Sequence, residues 1–211
     1  MAWVLALAAG NAAVAEQAVQ VPGTDIAFSL PESWTEAPAA GKLYAAEDKA
    51  DKCDLSVMGI ANTNGVPVDD ASFINGMKNG MAEKAKSLGL RFDVAKEDLM
   101  TIGGVPFYHI QAVYNAGSAQ AIFCQFYVTG ANGMFYLFIL RSTQTSMDGP
   151  LEAIANSVTF TKPPVVPHRV APGAQWDFIA YRLGEIAGIA LILAIVASFF
   201  ARMVGWAGRG R

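Results

Sequence analysis

The residues with which this chain could do chemistry are few: two histidines, two cysteines and a scatter of acids. His109 lies in an alternating stretch, on one side with Phe107, Gln111 and Val113, where a histidine ordinarily serves as a hydrogen-bonded core residue. A Ser-His-Asp relay would set it beside a carboxylate and an activated serine, and no G-x-S-x-G elbow accompanies it. A weak hydrolase built on His109 is the only catalytic reading available. His168 stands beside Arg169 among prolines and reads as solvated. Asp48, Asp51, Asp54, Asp69 and Asp70 are the candidate oxygen ligands, but none has EF-hand spacing with its glycine and closing glutamate. The acids of EDKADKCD (47–54) are interleaved with Lys49 and Lys52, the pattern of a solvated loop. H-E-x-x-H and C-x-x-C are absent, and neither Gly103-Gly104 nor Gly76–Gly80 leads into a phosphate-cradling Gly-Lys-Ser/Thr. No catalytic residue, metal ligand or cofactor is therefore expected.

The two cysteines, Cys53 and Cys124, leave two readings open. In an oxidising compartment they are a possible disulfide pair. Otherwise they are buried thiols acting as small hydrophobes, which suits Cys124 inside an apolar strand.

The compartment follows from the two ends of the chain. Ala2–Gly10 is a short apolar run followed by Ala13-Val14-Ala15, so residues 1–15 read as a signal peptide cleaved before Glu16. From Ile186 to Ala201 there is no charge, and the segment extends to Trp206 with Arg202 as its one interruption. A stretch of about twenty such residues crosses a ~30 Å hydrocarbon core, so 183–206 is expected to be a transmembrane helix. Arg202, Arg209 and Arg211 follow the span with no acid, which places the short tail, 207–211, in the cytoplasm. Trp176 and Phe178 before the span and Trp206 after it suit the two membrane interfaces. The expected location is a bacterial inner membrane, single-pass, with the ectodomain in the periplasm.

Small residues recur within the span. Ala187, Ala190, Ala194, Ala197 and Ala201 alternate by three and four, with Gly184 and Gly188 as a small-xxx-small pair beside them. Lipid gives helices no hydrophobic reason to associate, so a small-residue face is how they approach one another. These residues are a possible helix–helix contact, with a second copy or another membrane protein. Alanine's frequency in this chain is the plainer explanation. Net charge is −3 with pI near 5.3, and the ectodomain has no Lys/Arg cluster, which excludes nucleic acid as the expected partner.

The elements that would position all this form one domain over 21–162. Asp25–Leu30 reads as a first strand, with Lys42–Ala46 as its hairpin partner, and Cys53–Ile60 alternates with Cys53, Leu55 and Val57 on one side. A helix is expected from Val68-Asp69-Asp70 to about Leu88, capped by either aspartate and ended by Gly89. Phe73, Ile74, Met77, Met81, Ala85 and Leu88 form its apolar stripe, and Gly76 and Gly80 suggest close packing against the sheet. Strands over Arg91–Leu99, Phe107–Tyr114, Ala119–Thr129 and Met134–Ser142 make a meander, and the last two are apolar on both faces. A short helix to about Ser157 and a strand at Thr159–Phe160 close the domain. Four prolines within 163–172 make 163–175 a Pro-rich linker, a stalk rising ~3.1 Å per residue.

GTDIAFSLPESW, the central helix, TIGGVPFYHI, the twin apolar strands and LEAIANSVTF together resemble the PsbP/Mog1-type superfamily, most closely its small exported bacterial members of unknown function. That resemblance covers nearly all of the ectodomain. It implies an α+β fold, an antiparallel β-sheet sandwiched by helices, with a role in binding or assembly. To it this chain adds one C-terminal transmembrane helix. The expected function is a non-catalytic membrane-anchored binding or assembly module, an accessory subunit of an inner-membrane complex. The alternative is a tethered carrier of a small molecule or lipid, with Phe123, Phe126, Tyr127, Phe135, Tyr136 and Phe138 lining its pocket.

Overall fold

The computed structural model describes residues 16–39, 41–115, 121–143, 150–167 and 181–184. Among these residues ten strands and two helices form in the order β1 (Glu16–Gln20), β2 (Ile26–Pro31), β3 (Thr35–Glu36), β4 (Tyr44–Asp48), β5 (Cys53–Ala61), α1 (Ala71–Ser87), β6 (Arg91–Ile102), β7 (Val105–Asn115), β8 (Ile122–Ala131), β9 (Met134–Ser142), α2 (Pro150–Asn156) and β10 (Thr159–Phe160). A fully antiparallel seven-stranded sheet runs β3-β4-β5-β9-β8-β7-β6, and a three-stranded sheet runs β1-β2-β10.

Local chemistry explains the turns. Asn132 and Gly133 have φ of 52° and 74°, and Gly103 and Gly104 have 58° and 81°, so both hairpins close through two left-handed residues. That geometry matches the right-handed twist of the flanking strands and lets β8 pair with β9, and β6 with β7, to the last residue. Helix α1 starts where Asp70 accepts hydrogen bonds from the Ser72 and Phe73 amides, and stops where Gly89 turns left-handed at φ 70°. Of the two candidate caps the structure uses Asp70. We expect Asp70→Ala to lower stability by about 1 kcal/mol, read as a shift of the urea midpoint at constant m-value. An unchanged midpoint would mean that the cap carries no weight.

The β8 and β9 strands are covered on both faces, as their composition requires. On one face α1 buries Phe73, Met77, Met81 and Ala85 against Tyr108, Ile110, Phe126, Phe135 and Leu137. On the other, Phe28, Leu30, Trp34, Ile154 and Val158 meet Phe107, Tyr127, Tyr136, Phe138 and Leu140. The second cover is therefore mainly the small sheet β1-β2-β10, assisted by α2, so helices alone do not sandwich the large sheet. The reason is pairing: β2 alternates cleanly between buried and half-buried residues and is flanked by β1 and β10, whereas the expected partner around 42–46 pairs with β3 and β5. Leu88 leaves the helix stripe as the C-cap and is 39% exposed.

Both cysteines are free. Cys53 on β5 is paired with Ser142 of β9, which is paired in turn with Phe123 of β8. Cys124 is thus two strand spacings away, roughly 10 Å, beyond the ~7 Å that a disulfide bridges. It also points to the opposite face, since Cys53 packs with the small-sheet core and Cys124 with the α1 core. The possible disulfide is excluded by register.

The described part of the Pro-rich segment, 163–167, lies against the domain; the rest of the expected linker, 168–175, lies outside the described residues. The Val165 amide donates to Asn132 Oδ1 at 2.8 Å and the Asn132 amide to the Val165 carbonyl at 3.0 Å, while Val166 packs on the core. Residues 163–167 are strapped to the β8–β9 turn. Among the described residues no helix is long and apolar enough to cross a membrane. The expected signal peptide (1–15), most of the expected span (185–206) and the tail (207–211) lie outside them.

Candidate functional site

Two places combine buried polar or tightly packed groups in a way that local folding does not require. The first is His109. The registers Asp98↔His109 and His109↔Tyr127 align one residue from each of β6, β7 and β8. His109 Nδ1 lies 2.7 Å from Asp98 Oδ1, and its ring stacks on Tyr127 with centroids 4.3 Å apart. The Tyr127 hydroxyl donates to Gln125 Oε1 at 2.6 Å. His109 Nε2 is buried with no hydrogen-bond partner among the described residues. In the neutral ring, Nδ1 donating to the carboxylate leaves the lone pair on Nε2, the polarity of a general base held by its orienting acid. That nitrogen is sealed from solvent, so in this structure it reaches no substrate.

Asp98 is also 3.1 Å from Lys96 Nζ. Burial raises the Asp98 carboxyl, but the hydrogen bonds from His109 and Lys96 outweigh it and hold it below its ordinary range. A depressed carboxyl contributes stability that is present above its unfolded pKa, ~3.9, and is lost as pH falls through the folded value. Wild type should therefore lose more stability than Asp98→Asn between pH 6 and 3, about those limits for aspartate titration. Urea unfolding at each pH checks this, and equal acid slopes would remove Asp98 from the account.

The other candidate acids serve the fold. Asp48 accepts from Ser33 Oγ at 2.6 Å and from the Ala50 and Asp51 amides, and these bonds, Ser33's foremost, hold its carboxyl low. Asp54 pairs with Arg141 Nε at 2.7 Å, and Asp70 caps α1. Asp51 and Asp69 are exposed. Among the described residues no group of three or more His, Cys, Asp or Glu is placed to hold a metal ion. His168 lies outside them.

The second place is the contact of residues 181–184 with α1. Residues 181–184 are helical and lie on α1. Leu183 is 1% exposed among Phe73, Met77 and Met81. The Tyr181 hydroxyl donates to Glu83 Oε2 at 2.6 Å, and Tyr181 shares an open polar groove with Ser72, Asn75, Gly76 and Asn79. A Cβ at Gly184 would lie 2.3 Å from the Met77 carbonyl oxygen and 2.9 Å from both Gly80 Cα and Met81 N. The backbones touch because Gly80 and Gly184 both lack side chains, so at Gly80 the close partner is this segment. Of the expected helix–helix residues, the structure places Gly184 against the domain's own α1. Ala187, Gly188, Ala190, Ala194, Ala197 and Ala201 lie outside the described residues. Sequence reasoning did not pair Gly80 with Gly184, although small residues at both positions were its signal.

The aromatics nominated for a carrier pocket are divided between the two cores. Phe126 and Phe135 pack on the α1 side, while Tyr127, Tyr136 and Phe138 lie on the small-sheet side with Phe123 at its margin. They contact other rings, Phe135 stacking on Phe73 at 5.1 Å and Phe138 meeting Phe28 edge-on at 6.1 Å.

No protein-family model matches this chain, and no curated protein matches it by sequence. Among solved structures it is similar to the solution structure of cyanobacterial PsbP (CyanoP) from Synechocystis sp. PCC 6803. The TM-score is 0.58 at 15% identity, over 74% of this chain and 98% of that one. A crystal structure from Bacteroides thetaiotaomicron gives 0.43 at 10% identity, over 65% of this chain and 46% of that one. A Pseudomonas aeruginosa protein of unknown function gives 0.32 at 12%, over 60% and 82%. These two are too distant to carry an argument. At its level of identity the first likeness speaks to architecture alone: two antiparallel sheets with a few helices, in a PsbP-like fold.

Proposed function

We propose that this chain is a non-catalytic binding or assembly module of the bacterial inner membrane. Residues 1–15 export it, its PsbP-like domain lies in the periplasm, and 183–206 anchor it as an accessory subunit of a larger membrane complex. The observation that carries this reading is the seating of Leu183 and Gly184 on α1. A helical turn built into the core of the domain fixes that domain's orientation to whatever holds the chain that follows it, as assembly requires. A free tether needs no such joint. The sealed His109 and the structural employment of Asp48, Asp54 and Asp70 also favour a binding role over chemistry, and aromatics packed into two separate cores favour assembly over carriage.

The test is mild-detergent solubilisation of the tagged native protein, then native electrophoresis and mass spectrometry of its companions. A stable complex much larger than the 22.3 kDa chain supports the reading. A lone monomer overturns it.

A further inference from the structure

We infer that two copies of this chain pair through β6, antiparallel about a two-fold axis at Glu97, into one continuous sheet. This goes beyond the assembly reading by making a second copy one of the partners, and it does not depend on an anchor.

Among the described residues β6 has β7 on one side and no strand on the other. At twelve residues it is longer than any other described strand, whereas β3, at the opposite edge of the same sheet, has two. An edge of that length presents a row of backbone N–H and C=O groups to another chain. Two of its apolar side chains also face solvent, Leu99 at 50% and Val94 at 40% exposure.

The order of residues along β6 selects the occupant. Val94, Glu97 and Leu99 pair with Ala112, Ile110 and Tyr108 of the α1 core, so all three share the α1 face. Lys96 and Asp98, paired with Gln111 and His109, share the other face, and Ala95 is the extra residue of the bulge. With Glu97 opposite Glu97 of an antiparallel copy, Lys96 falls opposite Asp98 on both sides of the axis. The Lys96–Asp98 pair of each chain, 3.1 Å apart, then joins its counterpart in a cluster of alternating charge. Beyond Ala95, Val94 comes opposite Leu99, again twice and on one face. A bulge and a lysine ordinarily block edge pairing, but here the two-fold repeats both and matches them. Val94, Ala95, Lys96 and Glu97 line an open groove with Lys78, and Leu99 of the second copy would lie along it. The glutamates at the axis are the exception, since like charges directly opposite repel. Each is drawn back onto its own chain by Lys78 Nζ at 3.0 Å and by the Tyr108 hydroxyl at 3.0 Å.

The test is oxidative cross-linking of full-length protein in mild detergent, with Cys53→Ser removing the half-exposed thiol, read on a non-reducing gel. Directly opposite residues have Cα atoms about 4.5–5.5 Å apart, within the span of a disulfide. Glu97→Cys should therefore link to itself and run mostly as a dimer. Val94→Cys alone should stay monomeric, because its counterpart lies more than ~10 Å away along the strands. Mixed with Leu99→Cys it should link. Adding Lys96→Glu, which sets a carboxylate opposite Asp98, should cut the Glu97→Cys link severalfold. No link at Glu97→Cys in protein with wild-type circular dichroism overturns the pairing, as does Val94→Cys linking to itself equally well. A link indifferent to Lys96→Glu overturns the charge matching. A large membrane complex that holds a single copy of this chain overturns the pairing and leaves the assembly reading standing.

Discussion

Replacing Phe138 with alanine lowers the unfolding free energy by about 3–5 kcal/mol. Phe138 lies on β9, between Val57 of β5 and Tyr127 of β8, and is 1% exposed. Its ring meets Phe28 of the small sheet edge-on at 6.1 Å and Phe107 of β7 at 6.4 Å. Removing it deletes apolar contact from both sheets at once and opens a void between them. The void cannot close cheaply, because β9 is hydrogen-bonded on both sides and its backbone cannot move inward without breaking a ladder. Urea unfolding followed by fluorescence reads the loss, helped by Trp34, which is 4% exposed in the same core. Val165→Ala, at a side chain 72% exposed, serves as the control and should stay within ~0.5 kcal/mol. A loss below about 1 kcal/mol at Phe138 would mean that the two sheets do not pack through this ring.

The elements that were legible are those whose signal lies within a few residues. The α1 stripe of Phe73, Met77, Met81 and Ala85 is periodic, with Asp70 and Gly89 marking its ends, and all four are buried. The β9 strand runs over the expected Met134–Ser142, because Asn132-Gly133 fixes its start. What could not be read depends on partners far along the chain. β2 takes β10 as a neighbour across more than 130 residues, and nothing near Ile26 announces it. β1 is an exposed edge strand without a hydrophobic pattern. Asn62 reads as a turn former, yet it is buried and clamps Val66 through both its amide atoms, at 2.8 and 2.9 Å. Of the site, the placement of His109 on a packed strand face was legible, but its bond to Asp98 depends on the β6 register and on a bulge between Val94 and Lys96. A bulge shifts every later partner by one residue, and composition does not locate it.

Gly184→Ala destabilises the protein by about 1–3 kcal/mol, against the sign that helix propensity gives. On an exposed helix the same change stabilises by about 0.4–1 kcal/mol, since alanine has less backbone freedom to lose. Here the new methyl falls 2.3 Å from the Met77 carbonyl oxygen, and its other near neighbours, Gly80 Cα and Met81 N, are also backbone. No side chain can rotate away, so either α1 bends or residues 181–184 lift off. If they lift, Leu183 leaves its buried place beside Phe73 and Met77, and the Tyr181–Glu83 hydrogen bond goes with it. Burial of one leucine is worth ~1.5–3 kcal/mol, which bounds what displacement can cost before the rest of the domain is affected. The measurement is the urea midpoint of wild type and variant in the same detergent, together with amide exchange over 76–84. The variant should show a lower midpoint and faster exchange along that stretch of α1. A raised midpoint with unchanged exchange would mean that Gly184 does not touch α1, and the proposed joint between the domain and an anchor would be lost with it.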